Sequence, residues 1–115
     1  MTVKECYEQI GANYTDVIER LGSETLVQKF AQRFLADKSY ENLKDALQKQ
    51  EAQEAFRASH TLKGICLNLG FDGLYKASSE LTELLRGGSM EGAEELFERV
   101  KEQYDKTVGA IERID

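Results

Sequence analysis

Proline and tryptophan are absent from the 115 residues, and histidine occurs once, as His60. Without proline, nothing in the chain forces a break in a helix by removing an amide hydrogen and crowding the preceding turn. One histidine and two cysteines, Cys6 and Cys66, are too few for an ordinary zinc ligand set, so no metal and no cofactor is expected. Both cysteines fall on the apolar side of predicted helices and read as reduced, buried thiols of a cytoplasmic protein. No apolar run approaches the ~20 residues that a membrane helix needs. The opening Met1-Thr2-Val3-Lys4-Glu5-Cys6 lacks the apolar core of a secretory signal. No Gly-rich loop follows a strand, which excludes a nucleotide site of that kind. The net charge of −6 argues against nucleic acid as the main partner, because duplex binding relies on clustered Lys and Arg. The carboxylates Glu80, Glu83, Glu94 and Glu95 read as solvated helix faces, with no apolar surroundings to raise a pKa for acid–base work.

Ala, Leu, Glu, Lys and Gln are plentiful, so the intrinsic preference is helical. The apolar period agrees nearly everywhere, and no segment reads convincingly as a strand. Val3, Cys6, Tyr7 and Ile10 form a first stripe, interrupted by Gly11. Tyr14, Val17, Ile18 and Leu21 form a second, ended by Gly22. Ser23 caps a helix carrying Leu26, Val27, Phe30, Phe34 and Leu35. Ser39 caps another, with Tyr40, Leu43 and Leu47 inward. A long helix over 52–69 stops at Gly70. Asp72 caps a helix with Leu74, Ala77, Leu81, Leu84 and Leu85, Gly87-Gly88 makes a turn, and Ser89 starts the last helix. The expectation is an all-α fold, an antiparallel four-helix bundle with additional short N-terminal helices, in one domain spanning 1–115. Its long members are predicted at 24–36, 52–69, 73–86 and 90–114.

The segment Ser59-His60-Thr61-Leu62-Lys63-Gly64 stands apart from the rest. At about 100° per residue, Ala55, Ala58, Leu62, Ile65, Cys66 and Leu69 gather on the core side, and His60 points the opposite way. Phe56, Arg57, Lys63, Gly64 and Leu67 share its face. A glycine inside a helix costs about 1 kcal/mol against alanine, and Phe56 and Leu67 are apolar where polar residues are expected. Weakness and exposed apolar surface at one place point to a contact surface. An exposed neutral imidazole is a good nucleophile near neutral pH. Lys63, one turn on, would stabilise a phosphoryl group placed on it, and Gly64 would leave the ring open to a partner's active site.

His60-Thr61-Leu62-Lys63-Gly64, followed by Gly70, resembles the signature of histidine-containing phosphotransfer domains, and the likeness in length and helical pattern covers essentially the whole chain. The resemblance implies a phosphocarrier of a multistep phosphorelay, not itself an enzyme, with no kinase activity or ATP site. His60 would exchange a phosphoryl group with the aspartate of response-regulator receiver domains, downstream of a hybrid histidine kinase, and the magnesium would belong to the receiver. A monomer is expected, with Phe56, Arg57 and Leu67 docking the receiver. The family often places Gln or Glu on the next helix to orient the imidazole. Thr82 occupies that position here. It is shorter, and either reaches through a water or yields the role to Ser79 or Glu83. Two other readings compete: a phosphoacceptor domain of a larger chemotaxis-type kinase, and a helical interaction bundle with an inert His60. An opening Met1 and an end soon after the last helix favour a stand-alone protein over the former.

Overall fold

The computed structural model describes residues 1–115. Seven helices follow one another: α1 Val3–Gln9, α2 Tyr14–Leu21, α3 Glu24–Arg33, α4 Ser39–Gln48, α5 Ala52–Leu69, α6 Asp72–Arg86 and α7 Ala93–Ile111. A 3₁₀ turn, Phe34–Ala36, extends α3. None of the helices is long and apolar enough to cross a membrane. The fold is all-α, and one core of 25 buried residues runs from Val3 to Ile111.

α5 is the axis. α4 lies along it, α6 packs antiparallel to it, and α7 lies along α6. Tyr40 of α4 closes the bundle by stacking on Tyr104 of α7 at 3.8 Å and on Phe97 at 5.5 Å. Such aromatic contacts add about 0.5–1.5 kcal/mol each beyond burial. The fourth long member is therefore α4. The segment 24–36, expected in that place, packs mainly with α1 and α2, with smaller contacts to α5 and, through Phe34, to Tyr104 of α7, and Leu26 and Leu35, expected inside, are exposed.

The N-terminal helices cover the end of α5. The Tyr7 hydroxyl donates to Leu69 O at 2.7 Å, Asn13 N donates to Gly70 O at 2.9 Å, and the Arg20 guanidinium donates to Leu67 O and Asn68 O. Two of these acceptors, Asn68 O and Leu69 O, are last-turn carbonyls with no backbone donor of their own, while Leu67 O and Gly70 O also accept from Gly70 N and Asp72 N. Gly70 has φ +71°, the left-handed conformation that a C-terminal stop requires. It is also crowded: a Cβ there would collide with the Val17 side chain and lie 2.9 Å from Asn13 O.

Other caps differ in detail from the sequence expectation. Ser23 Oγ does accept from Leu26 N, as expected. Ser39 lies inside the first turn of α4 and is capped in turn, since Asp37 Oδ1 accepts from its N–H at 2.8 Å. Asp72 is the first residue of α6 and makes no capping bond. Ser89 belongs to the loop before α7, where its Oγ accepts from Glu91 N, and the helix begins only after Gly92, at φ +86°. Cys6 and Cys66 are buried free thiols. Burial pushes both thiols up from their usual range, which keeps them protonated and unreactive.

Candidate functional site around His60

The apolar stripe of α5 sets the direction of His60. Ala55, Ala58, Leu62, Cys66 and Leu69 are buried and Ile65 half-buried, so His60, near the middle of the helix, is exposed. A polar contact fixes the same rotation. Ser59 is fully buried, and its Oγ lies 2.7 Å from Thr82 Oγ1 and 3.2 Å from Ser78 O. Thr82 Oγ1 donates to Ser78 O at 2.6 Å. Each hydroxyl has one proton. The shorter contact to Ser78 O favours Thr82 donating to that carbonyl and Ser59 donating to Thr82.

Thr82 is thus turned into the α5–α6 interface and is fully buried. Its hydroxyl is engaged with Ser59 and Ser78 and makes no bond to His60. The position expected to orient the imidazole serves to join two helices instead. The reason is register: Ser59 faces α6, and Thr82 meets Ser59, its neighbour on the core side.

The other residues of the expected face lie one or two turns from His60 along α5. The Phe56 ring lies 5.9 Å from the imidazole, tilted by 35°. Lys63 is half-buried and makes no ion pair within 4 Å, though its charge acts on Glu83. At Gly64 an added Cβ would meet nothing within 4 Å, which leaves open space beside the ring. Leu67 is 52% exposed, the most exposed large apolar side chain. Arg57 is exposed and paired with Glu54 at 2.8 Å.

Two residues of α6 complete the surroundings, and neither carried a definite role in the sequence reading. Arg86 lies over the Phe56 ring, 5.1 Å from its centroid, and grips Glu83 through Nε and Nη2 at 3.1–3.3 Å. That hydrogen bond above all holds the Glu83 carboxyl below the usual range, and the charges of Arg86, then Lys63 and His60, act in the same direction. The Arg86–Glu83 spacing of three is readable from sequence as a helix pair. Its place opposite His60 depends on how α6 packs on α5.

His60 lines none of the main grooves, although Arg57 lines one and Glu83 another. A third, of about 700 Å³, runs between α4 and α7, lined by Leu47, Met90 and Phe97 among others. Another, of about 440 Å³, lies between α2, α3 and α5. His60 stands on an open helix face that a protein partner can cover. No cluster of three or more His, Cys, Asp or Glu side chains forms a metal-binding group.

A family model described as Hpt domain matches residues 26–110. The match runs from α3 into α7 and includes His60, Lys63 and Gly64, while α1 and α2 fall outside it. No curated protein and no solved structure matches the chain.

Proposed function

Because this chain belongs to the Hpt domain family, whose chemistry is histidine phosphotransfer in phosphorelays, we propose that His60 is its phosphoryl acceptor and that residues 1–115 act as one carrier domain. The observation that carries this reading is the setting of the single histidine. It is exposed midway along α5, with an unpaired lysine one turn away and open space beside the ring.

The partner is a response-regulator receiver domain carrying an aspartyl phosphate. The lone pair of one imidazole nitrogen attacks phosphorus, an N–P bond forms, and the P–O bond to the aspartyl carboxylate breaks. The carboxylate leaves with the bonding pair, and the other ring nitrogen keeps its proton. The reverse step returns the phosphoryl group to an aspartate, so the carrier links one receiver to another. Little covalent work falls to the protein in such a transfer, and positioning and charge dominate. Lys63 supplies a point charge to the phosphoryl oxygens. Phe56 and Leu67 offer apolar area to the docked receiver, Arg57 helps to steer an acidic rim, and Gly64 keeps the approach clear. An upstream hybrid histidine kinase would load the first receiver, with the carrier acting as a cytoplasmic monomer.

The test is incubation of the protein with a panel of phosphorylated receiver domains. The expected result is an acid-labile, base-stable label on the parent protein and none on His60→Gln, with both proteins folded. An equal label on His60→Gln would refute the assignment.

A further inference from the structure

Glu83 presents a negative charge beside the residue that would receive a dianion. Glu83 feels the charges of His60 and Lys63, and like charges within such reach disfavour one another, so the carboxylate is a poor neighbour for a phosphoryl group. It nevertheless occupies the cation best placed to help. Helical side chains lean toward the N-terminus of their own helix. In α6 that direction carries Arg86 back to Glu83, which it holds at 3.1–3.3 Å. α6 runs antiparallel to α5, and Ser59 meets Ser78 and Thr82 across the interface. The Arg86–Glu83 pair therefore stands alongside the turn of α5 that carries His60. The contacts close the circuit: Arg86 covers Phe56, and Phe56 lies against the His60 ring. The field of Lys63 also reaches Glu83.

Given the reading of His60 as acceptor, we infer that Glu83 destabilises phosphorylated His60 by competing with the phosphoryl group for Arg86 and Lys63, and so sets how readily the carrier gives the group up. In the unphosphorylated protein Glu83 keeps Arg86. On phosphorylation the phosphoryl oxygens, with more charge and a third acceptor oxygen, draw the guanidinium away, and the released Glu83 faces the dianion unpaired. The phosphoryl group is held less tightly than a histidine flanked by two free cations would hold it. This role is opposite in sign to that of an orienting partner, which would stabilise the phosphorylated ring.

The test uses the full chain and a receiver domain that exchanges phosphate with it. The quantity read is the division of labelled phosphoryl between His60 and the receiver aspartate at equilibrium, at concentrations where little complex persists. That ratio depends only on the free proteins, so changes in docking or in rate leave it unmoved. Glu83→Gln should shift it toward His60 by about twofold to fivefold, the range for exposed charge pairs. Arg86→Gln should shift it the other way, and in the Arg86→Gln background the Glu83→Gln effect should shrink. A Glu83→Gln ratio that is unchanged, or that moves toward the receiver, overturns the inference, since a glutamine would keep an orienting hydrogen bond. The two levels separate cleanly. Failure of the parent protein to take label on His60 removes the acceptor assignment and the inference with it. Label on His60 with an unmoved ratio removes only the role of Glu83.

Discussion

Replacing Gly64 separates stability from transfer in a way that no reading of His60 as an inert surface residue would produce. Gly64 lies within α5, and a Cβ added there meets nothing within 4 Å, so neither strain nor collision opposes a side chain. Gly64→Ala should therefore recover the ordinary helix gain of about 0.5–1 kcal/mol, and Gly64→Gln somewhat less. For a chain of this size that gain amounts to a rise in Tm of about 2–5 °C. Transfer should move the other way. Positions four apart on a helix have Cβ atoms about 5–6 Å from each other, and a helical side chain covers the turn N-terminal to its own Cα. A glutamine at 64 thus lies over the His60 turn, where a receiver must close. With alanine, which reaches little beyond the backbone, the rate should fall less than about threefold. With glutamine the loss should be about tenfold or more, the equivalent of about 1.4 kcal/mol of obstructed approach. Thermal unfolding followed by circular dichroism gives the first quantity, and rapid-quench transfer from a phosphorylated receiver gives the second. A glutamine variant that transfers at the parental rate refutes the steric role of Gly64. One that unfolds refutes the open setting of the whole His60 face.

Lys63→Ala should lower the fraction of label on His60 at equilibrium by about twofold to fivefold while changing stability by less than about 0.5 kcal/mol. A large loss of stability with an unmoved label would make Lys63 structural. Gly70→Ala should cost at least about 1–2 kcal/mol from the left-handed backbone alone, and more from the collision with Val17 and Asn13. Chemical denaturation measures this, and an unaffected midpoint would contradict the docking of α2 on the end of α5.

The helices and the outward direction of His60 are legible because both depend on local periodicity. Ala55, Ala58, Leu62, Cys66 and Leu69 recur at helical spacing and are all buried, so the opposite face is exposed whatever α5 packs against. Stops such as Gly22 and Gly70 are legible for the same reason, since a left-handed residue after an apolar stripe is a local signal. Which helices become neighbours is not local. The segments 24–36 and 39–48 both carry a short apolar stripe, and nothing within either says which one lies along α5. The decision shows only in long-range contacts: Tyr40 stacks on Tyr104 and Phe97, more than fifty residues away, while from the other segment Phe34 meets Tyr104 less closely, at 5.9 Å. The role of Thr82 was obscured in the same manner. Counting from His60 places it opposite the imidazole, whereas the packing of α6 brings it to Ser59.

The buried hydroxyls explain why the rotation of α5 matters to function. Ser59 and His60 are consecutive, about 100° apart on the helix, so they compete for the α5–α6 interface. An apolar residue at 59 would pack there through area alone and tolerate some rotation, because hydrophobic contact has little direction. Ser59 and Thr82 are both fully buried and bonded to each other, with Ser78 O accepting the remaining hydroxyl proton. Turning α5 by one residue would break this set and strand buried hydroxyls at a cost of about 1–3 kcal/mol each. It would also swing the imidazole and Lys63 toward the interface, away from any partner. On the role proposed for His60, a carrier that meets more than one receiver needs its nucleophile presented in one fixed direction to all of them. In this chain that direction is held by directional bonds placed one residue before the histidine, where loss of the bond and loss of access would occur together.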